Sequence, residues 1–216
     1  MSKEQNVINY YVVCNRLKNV IRKGWKNWKV KRERIESVAE HIFGTQMLAI
    51  AMKSEYQYDV DIMKVIFMLA VHELGETIIG DLTLYEISRE EKEIIEHKAV
   101  HKILGDLLDG NYIEELFLEF DSHKTREALF AYQCDKLECD LQCKLYDEEG
   151  CVDLEDPETK KTAKNEKYNE LFAANDSWST MWLKLDQQLF PYDENFMAVS
   201  NYILDNEIGE SRVKKY

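Results

Sequence analysis

One segment constrains this chain more than any other. Between Asp61 and Ile79, seven consecutive apolar side chains, Val65 to Val71, run directly into His72, Glu73 and Glu76. A run that is apolar all round belongs to an element covered on most sides, and its length favours a central helix over a strand. Gly80 is its expected stop. Polar groups at the end of such a helix are costly unless they are paired or bound to an ion. At about 100° per residue, His72 and Glu76 fall on nearly one face and Glu73 a third of a turn away, with Asp81 just beyond Gly80. Three carboxylates and an imidazole gathered there push carboxyl pKa values upward, which a divalent cation or a fixed cationic partner relieves. The alternative is a solvated helix end with a core histidine.

The rest of the chain carries the punctuation of helices, with only Pro157 and Pro191 interrupting it and eight glycines that mostly follow apolar-periodic stretches. A first helix is expected over about residues 4–21, with Val7, Ile8, Tyr11, Cys14, Leu17 and Ile21 as its apolar stripe. Ser37 with Glu40, and Ser88 with Glu91, have the spacing of capping boxes. They open helices expected to reach about Lys53 and Gly110. Further helices are expected near 111–120, 123–147, 158–173, 177–189 and 193–206, and Trp178, Met181, Trp182 and Leu185 recur at core or dimer-contact spacing. The acidic, turn-rich stretch 147–161 reads as a surface loop. The fold class is therefore all-α: one helical domain over residues 1–216, with 148–216 packing on the same core. A chain this long hides roughly 70% of its unfolded surface, enough for a self-supporting core.

Forty-one acidic against 28 basic residues, a net charge of −13, argue against general binding to nucleic acid. No apolar run reaches the ~18–20 residues of a membrane span, and Glu4, Gln5 and Asn6 stand where a signal peptide would be apolar, so a cytoplasmic protein without membrane contact is expected. Five cysteines, an odd number without a C-x-x-C pair, fit that reading. Cys134, Cys139 and Cys143 lie in a helical pattern and read as buried thiols. One segment departs from the acidic whole: residues 16–34 hold nine Lys or Arg against the single acid Glu33, a local field able to attract an anionic substrate. His97 and His101, spaced i, i+4, read as a surface or interface pair in preference to a second metal site, and His123 shows no partner. His41, on spacing alone, is a surface or core residue.

Taken in order, Arg22, Gly24 and Trp25, then Arg34, then Glu36 to His41, then His72, Glu73, Glu76, Gly80 and Asp81, and finally Asp135 to Glu138 form a longer pattern. It resembles the HD-domain metal-dependent phosphohydrolases, and more closely the HD-domain 5'-deoxynucleotidases, over roughly residues 15–147. The resemblance implies a helical HD-type domain that removes phosphate from deoxyribonucleoside 5'-monophosphates. It implies one divalent ion held by His41, His72, Glu73 and Asp135, with Glu76 orienting or deprotonating the attacking water and Asp81 protonating the departing 5'-oxygen. Arg22 would grip the phosphate and Trp25 would pack on the sugar or base. Two imidazoles and two carboxylates without thiolate suit Mn²⁺, Co²⁺, Fe²⁺, Ni²⁺ or Zn²⁺. The family commonly pairs, so a homodimer is a further expectation. One departure stands out: Glu73 replaces the family's aspartate and reaches about 1–1.5 Å further, against a positional tolerance of about 0.5 Å. Two alternatives stay open: an HD-type phosphodiesterase with a second ion near His97 and His101, and a regulatory protein that binds nucleotide or metal without turnover.

Overall fold

The computed structural model describes residues 2–82, 87–163 and 177–209. Its helices are α1 (Lys3–Cys14), α2 (Lys23–Asn27), α3 (Val38–Tyr56), α4 (Ile62–Val71), α5 (Glu76–Ile79), α6 (Arg89–Leu104), α7 (Gly110–Ser122), α8 (Arg126–Glu148), α9 (Pro157–Ala163), α10 (Trp178–Leu189) and α11 (Glu194–Asp205). A 3₁₀ turn, Asn15–Lys18, follows α1, and the β-structure among the described residues is an isolated antiparallel bridge between Ile21 and Ser37. The all-α class holds. The part of the expected 158–173 helix beyond Ala163 lies outside the described residues.

Side chains fix the helix starts as the sequence suggests. Ser37 and Ser88 both complete capping boxes, Asp61 accepts from the amides of Met63 and Lys64, and Asp193 accepts from those of Asn195 and Phe196. Gly80 ends α5 at φ 73°, a left-handed conformation that favours glycine.

The chain divides into two compact units, Met1–Lys23 with Glu36–Cys134, and Gly24–Ile35 with Asp135–Tyr216. In the first, α3 packs on α4, α4 on α7, α7 on α6, and α6 on both α5 and α1. Its core joins Val71, Leu74, Val100, Leu104 and Phe117, and Val65, Met68 and Leu69 are wholly buried, as an all-round apolar helix requires. In the second, Trp25, Trp28, Tyr146, Trp178 and Met181 form an aromatic core with Cys143 and Cys151. The Trp178 helix is thus core. All five cysteines are free.

Two expectations about helices are corrected. The stripe assigned to the first helix faces outward at Val7, Ile8 and Tyr11, which are 61%, 55% and 61% exposed, whereas its Cys14 packs on the core beside Tyr10 and its Leu17 is buried in the 3₁₀ turn that follows. Several apolar residues on one helix allow more than one stripe, and the partner that α1 meets decides between them. The segment 61–79 is not one helix. It breaks over His72–Gly75, where amides of Leu74 and Glu76 reach back only three residues, to Val71 and Glu73. Gly75 explains why the break is tolerated here: a Cβ at that position would lie 2.5 Å from Cγ of Glu96, so only glycine lets α6 come this close.

Candidate metal centre and its carboxylate neighbours

Three of the four expected ligands meet within the first unit. His41 stands in the first turn of α3, just after the capping box in which the Ser37 amide donates to Glu40 Oε2 at 2.9 Å. It is fully buried, and its ring centroid lies 5.5 Å from that of His72. His72 Nδ1 is 2.8 Å from the carbonyl oxygen of Leu69. A carbonyl can only accept, so Nδ1 carries the hydrogen and Nε2 is turned toward Glu73, whose Oε1 lies 3.8 Å away. One donor atom from each of His41, His72 and Glu73 lies within 4.8 Å of the others. Bonds of ~2.0–2.2 Å to a shared ion close such a spread with small side-chain shifts. Two imidazoles and a carboxylate without thiolate fit a divalent ion of borderline hardness. Asp135, the fourth expected ligand, is buried on α8 as the first residue there of the second unit, and Lys136 Nζ lies 2.8 Å from its carboxylate.

Arg22 reaches this set because the bridge between Ile21 and Ser37 lays its backbone beside the start of α3. The Arg22 amide donates to the Glu36 carbonyl at 3.0 Å and the Val38 amide to that of Val20 at 2.8 Å. Arg22 Nη1 then donates to Glu73 Oε1 at 3.2 Å. Burial by itself would push the Glu73 carboxyl up, but the neighbouring charges of His72, Arg22, Lys92 and His41 outweigh it and hold the carboxyl at about 2.

Glu76 has the opposite balance. It is 1% exposed, and burial, followed by the negative charges of Glu73 and Asp81, pushes its carboxyl well above the usual range, with Lys92 and Arg22 pulling back. Lys92 Nζ is 3.7 Å from Glu76 Oε1, while Glu76 Oε2 has no hydrogen-bond partner among the described residues. Burial also raises Glu96, helped by Glu73, to about 7, and Glu73, Glu76 and Glu96 offer oxygens within 4.8 Å of one another. Burial works against the charge on Lys92, yet the surrounding Glu73, Glu96, Glu76 and Asp81 raise its pKa. Asp81 accepts the backbone N–H of Lys23 at 2.5 Å.

The fixed cationic partner anticipated from the crowded carboxylates is therefore present twice, as Arg22 and Lys92. Lys92 and Glu96 escaped the reading of the sequence because they sit on α6, a charged helix that looks solvated all round. The available signal was Gly75, which marks a close approach by a second element.

Trp25, expected against the sugar or base, belongs to the aromatic core of the second unit. It is 2% exposed, edge-on to Tyr146 at 5.4 Å and tilted against Trp182 at 5.3 Å. A ring so enclosed acts as core, and this placement lends no support to a substrate contact. His97 and His101 take separate partners on α7: His97 Nε2 lies 2.6 Å from Asp121 Oδ2, and His101 Nδ1 3.0 Å from Glu114 Oε2. Glu93, His97 and Asp121 offer donor atoms within 4.8 Å of one another, but the direct hydrogen bond between His97 and Asp121 accounts for that closeness. His123 does have a partner, Tyr132, their ring centroids 3.8 Å apart.

Comparison with known proteins bears on the family. A 5'-deoxynucleotidase HDDC2 of Dictyostelium discoideum is 34% identical over 152 residues, 67% of this chain and 79% of that protein. The 5'-deoxynucleotidase hdd1 of Schizosaccharomyces pombe is 30% identical over 153 residues, 68% of this chain and 75% of that protein. Among solved structures, a conserved hypothetical protein from Pyrococcus furiosus superposes with a TM-score of 0.66 at 24% identity, covering 92% of this chain and 99% of that one. A predicted metal-dependent phosphohydrolase from Magnetospirillum magnetotacticum does so with a TM-score of 0.64 at 20% identity, covering 94% and 92%. At these identities the two structures bear on the fold alone. The family model described as HD domain matches residues 14–174, a span that holds every expected ligand from His41 to Asp135, and the chain belongs to the HD-domain family.

Proposed function

We propose that this protein is a metal-dependent 5'-nucleotidase that releases phosphate from deoxyribonucleoside 5'-monophosphates. The observation that carries the reading is the convergence of His41, His72 and Glu73, with the His72 ring oriented by the Leu69 carbonyl. The names of the relatives, 5'-deoxynucleotidases at 34% and 30% identity, support the substrate class.

In this proposal Asp135 completes the ligand set as a fourth, buried donor. A bound Mn²⁺, Co²⁺, Fe²⁺, Ni²⁺ or Zn²⁺ would polarise the phosphate and lower the pKa of the attacking water. Arg22 takes a phosphate oxygen through its guanidinium. Glu76 accepts the proton of the attacking water. The nearby positive charge of Lys92 favours the ionised carboxylate that this role needs. Asp81, held by the Lys23 amide, delivers a proton to the departing 5'-oxygen. The extra methylene of Glu73 is accommodated by its bond to Arg22, so the carboxylate reaches the ion from a braced position. A cytoplasmic setting, consistent with five free cysteines, and pairing of two copies complete the proposal.

The test is a panel of dAMP, dGMP, dCMP, dTMP and the matching ribonucleotides, incubated with Mn²⁺ or Co²⁺ and read as phosphate release. The expected result is turnover of the deoxyribonucleotides, lowered by Glu73→Asp because the shorter side chain loses its brace. A folded, metal-loaded protein that leaves every member of the panel intact would remove the proposal.

A further inference from the structure

Lys92 stands near the start of α6, where its amide donates to the Ser88 carbonyl at 2.9 Å. Nothing local favours it there. A cation near a helix N-terminus opposes the macrodipole, and Glu90 and Glu91 already fill the first turn with the acids that the dipole prefers. The side chain is only 23% exposed and reaches Glu76 at the start of α5, an approach that Gly75 permits by leaving room for α6. A residue that breaks a local preference and is then enclosed marks a tertiary role or a functional one.

Its ammonium has donors to spare. Nζ lies 3.7 Å from Glu76 Oε1, an ion pair longer than a hydrogen bond, and it donates no hydrogen bond among the described residues. An ammonium carries three N–H donors, and enclosing them without acceptors costs free energy that the oxygen atoms of a ligand would recover. Glu76 Oε2, also buried, has no hydrogen-bond partner among the described residues. Were Lys92 present only to neutralise Glu76, a direct bond to either oxygen would serve both groups better. The balance of charge points the same way. Glu73, Glu76 and Asp81 each repel an incoming phosphate, and the guanidinium of Arg22 is engaged by Glu73 at 3.2 Å. One oxygen each of Glu73, Glu76 and Glu96 lie within 4.8 Å of one another, so a cation beside Glu76 stands next to a candidate metal ligand.

On the reading of this centre as one that releases phosphate, we propose that Lys92 is a further catalytic residue, its ammonium donating to a non-bridging oxygen of the bound monophosphate from the Glu76 side as Arg22 does from the Glu73 side. Its charge offsets the carboxylates that the phosphate must approach, and it holds the phosphate beside Glu76, the group assigned to the attacking water. The contact uses the donors that the protein itself leaves unengaged.

The experiment is calorimetric titration of inorganic phosphate into the full chain in Mn²⁺, for the native protein, Lys92→Met, Glu76→Gln and the double variant. Lys92→Met should weaken phosphate by about tenfold or more, because a charge-assisted contact is lost. It should do so by the same factor, within about twofold, in the Glu76→Gln background, because a contact with phosphate does not pass through Glu76. Lys98→Met, an exposed change on the same helix, should leave affinity within about twofold of native. Folding is checked by circular dichroism, and Lys92→Gln replaces Lys92→Met throughout the cycle if the latter does not fold. Absence of saturable phosphate binding by the native chain, equal affinity after Lys92→Met, or an effect that disappears in the Glu76→Gln background would each overturn the assignment, the last by showing that Lys92 acts only on Glu76. Hydrolysis of dAMP by the native chain is read separately. Turnover with no change in phosphate affinity removes the Lys92 contact alone, whereas phosphate held through Lys92 without turnover of any monophosphate removes the hydrolytic reading and leaves a phosphate-binding residue.

Discussion

In the first unit, Glu73 and Glu76 are enclosed beside two cations, Arg22 and Lys92. In the second, Asp140 is fully buried and hydrogen-bonded to Asp186, and the Tyr192 hydroxyl donates to Asp140 at 2.9 Å. Burial raises both aspartates. The negative charge of Asp186 raises Asp140 further, whereas Asp186, partly relieved by its bond to Asp140 and by Lys136, settles at about 6. Neutral donors and a shared proton leave carboxylates that are poor ligands, since a metal needs the deprotonated oxygen. Cations instead hold Glu73 ionised at about 2. The comparison teaches that burial alone does not mark a metal site. Among enclosed carboxylates, those kept ionised by neighbouring positive charge are ready to bind one.

Four changes test that contrast, from the largest expected effect to the smallest. His72→Ala removes an oriented imidazole from the set and should lower kcat/KM for a deoxyribonucleoside monophosphate by about 10²–10³ or more, read from initial rates at saturating metal. Lys92→Ala leaves the 1% exposed Glu76 with less positive charge nearby and should cost about 1–3 kcal/mol of unfolding free energy at pH 7 by denaturant titration. Because the Glu76 carboxyl is raised, this loss should shrink as pH falls and be least below about 4.5, where folded and unfolded states both carry the proton. A loss that grows in acid would break the comparison.

Asp186→Asn should act in the opposite direction. A carboxyl raised to about 6 in the folded state favours folding fully only below its unfolded value, and that contribution is lost as pH rises through the folded value. The variant should therefore be more stable than the native protein by about 1–2 kcal/mol at pH 8 and indistinguishable from it near pH 3.5, seen as a shift in midpoint between the two pH values. Gly75→Ala forces a Cβ to within 2.5 Å of the Glu96 side chain and should cost about 1 kcal/mol, the smallest of the four effects, measured by thermal unfolding.

The fold was legible where side chains act locally. Ser37, Ser88 and Asp193 announce helix starts through bonds to amides two or three residues on, and Gly80 announces a stop, because these interactions need no tertiary partner. The break at His72–Gly75 was not legible, since it depends on α6 arriving against Gly75, and neither was the outward face of Val7, Ile8 and Tyr11, which depends on what α1 packs against. For the candidate site, the convergence of His41, His72 and Glu73 was readable through their pattern. Lys92 and Glu96 were not, because on a charged helix a half-buried lysine has the same sequence signature as a solvated one. Trp25 shows the converse: the pattern located the residue, but its enclosed ring belongs to core packing.

The most direct test of the central claim is the number of divalent ions bound per chain, measured by elemental analysis after metal loading and gel filtration, for the native protein and for His41→Ala and His72→Ala. One tightly held ion per native chain, lost in both variants while their helical circular dichroism is retained, is the predicted result. One ion per chain held equally by all three proteins, or none held by the native chain, would contradict the account.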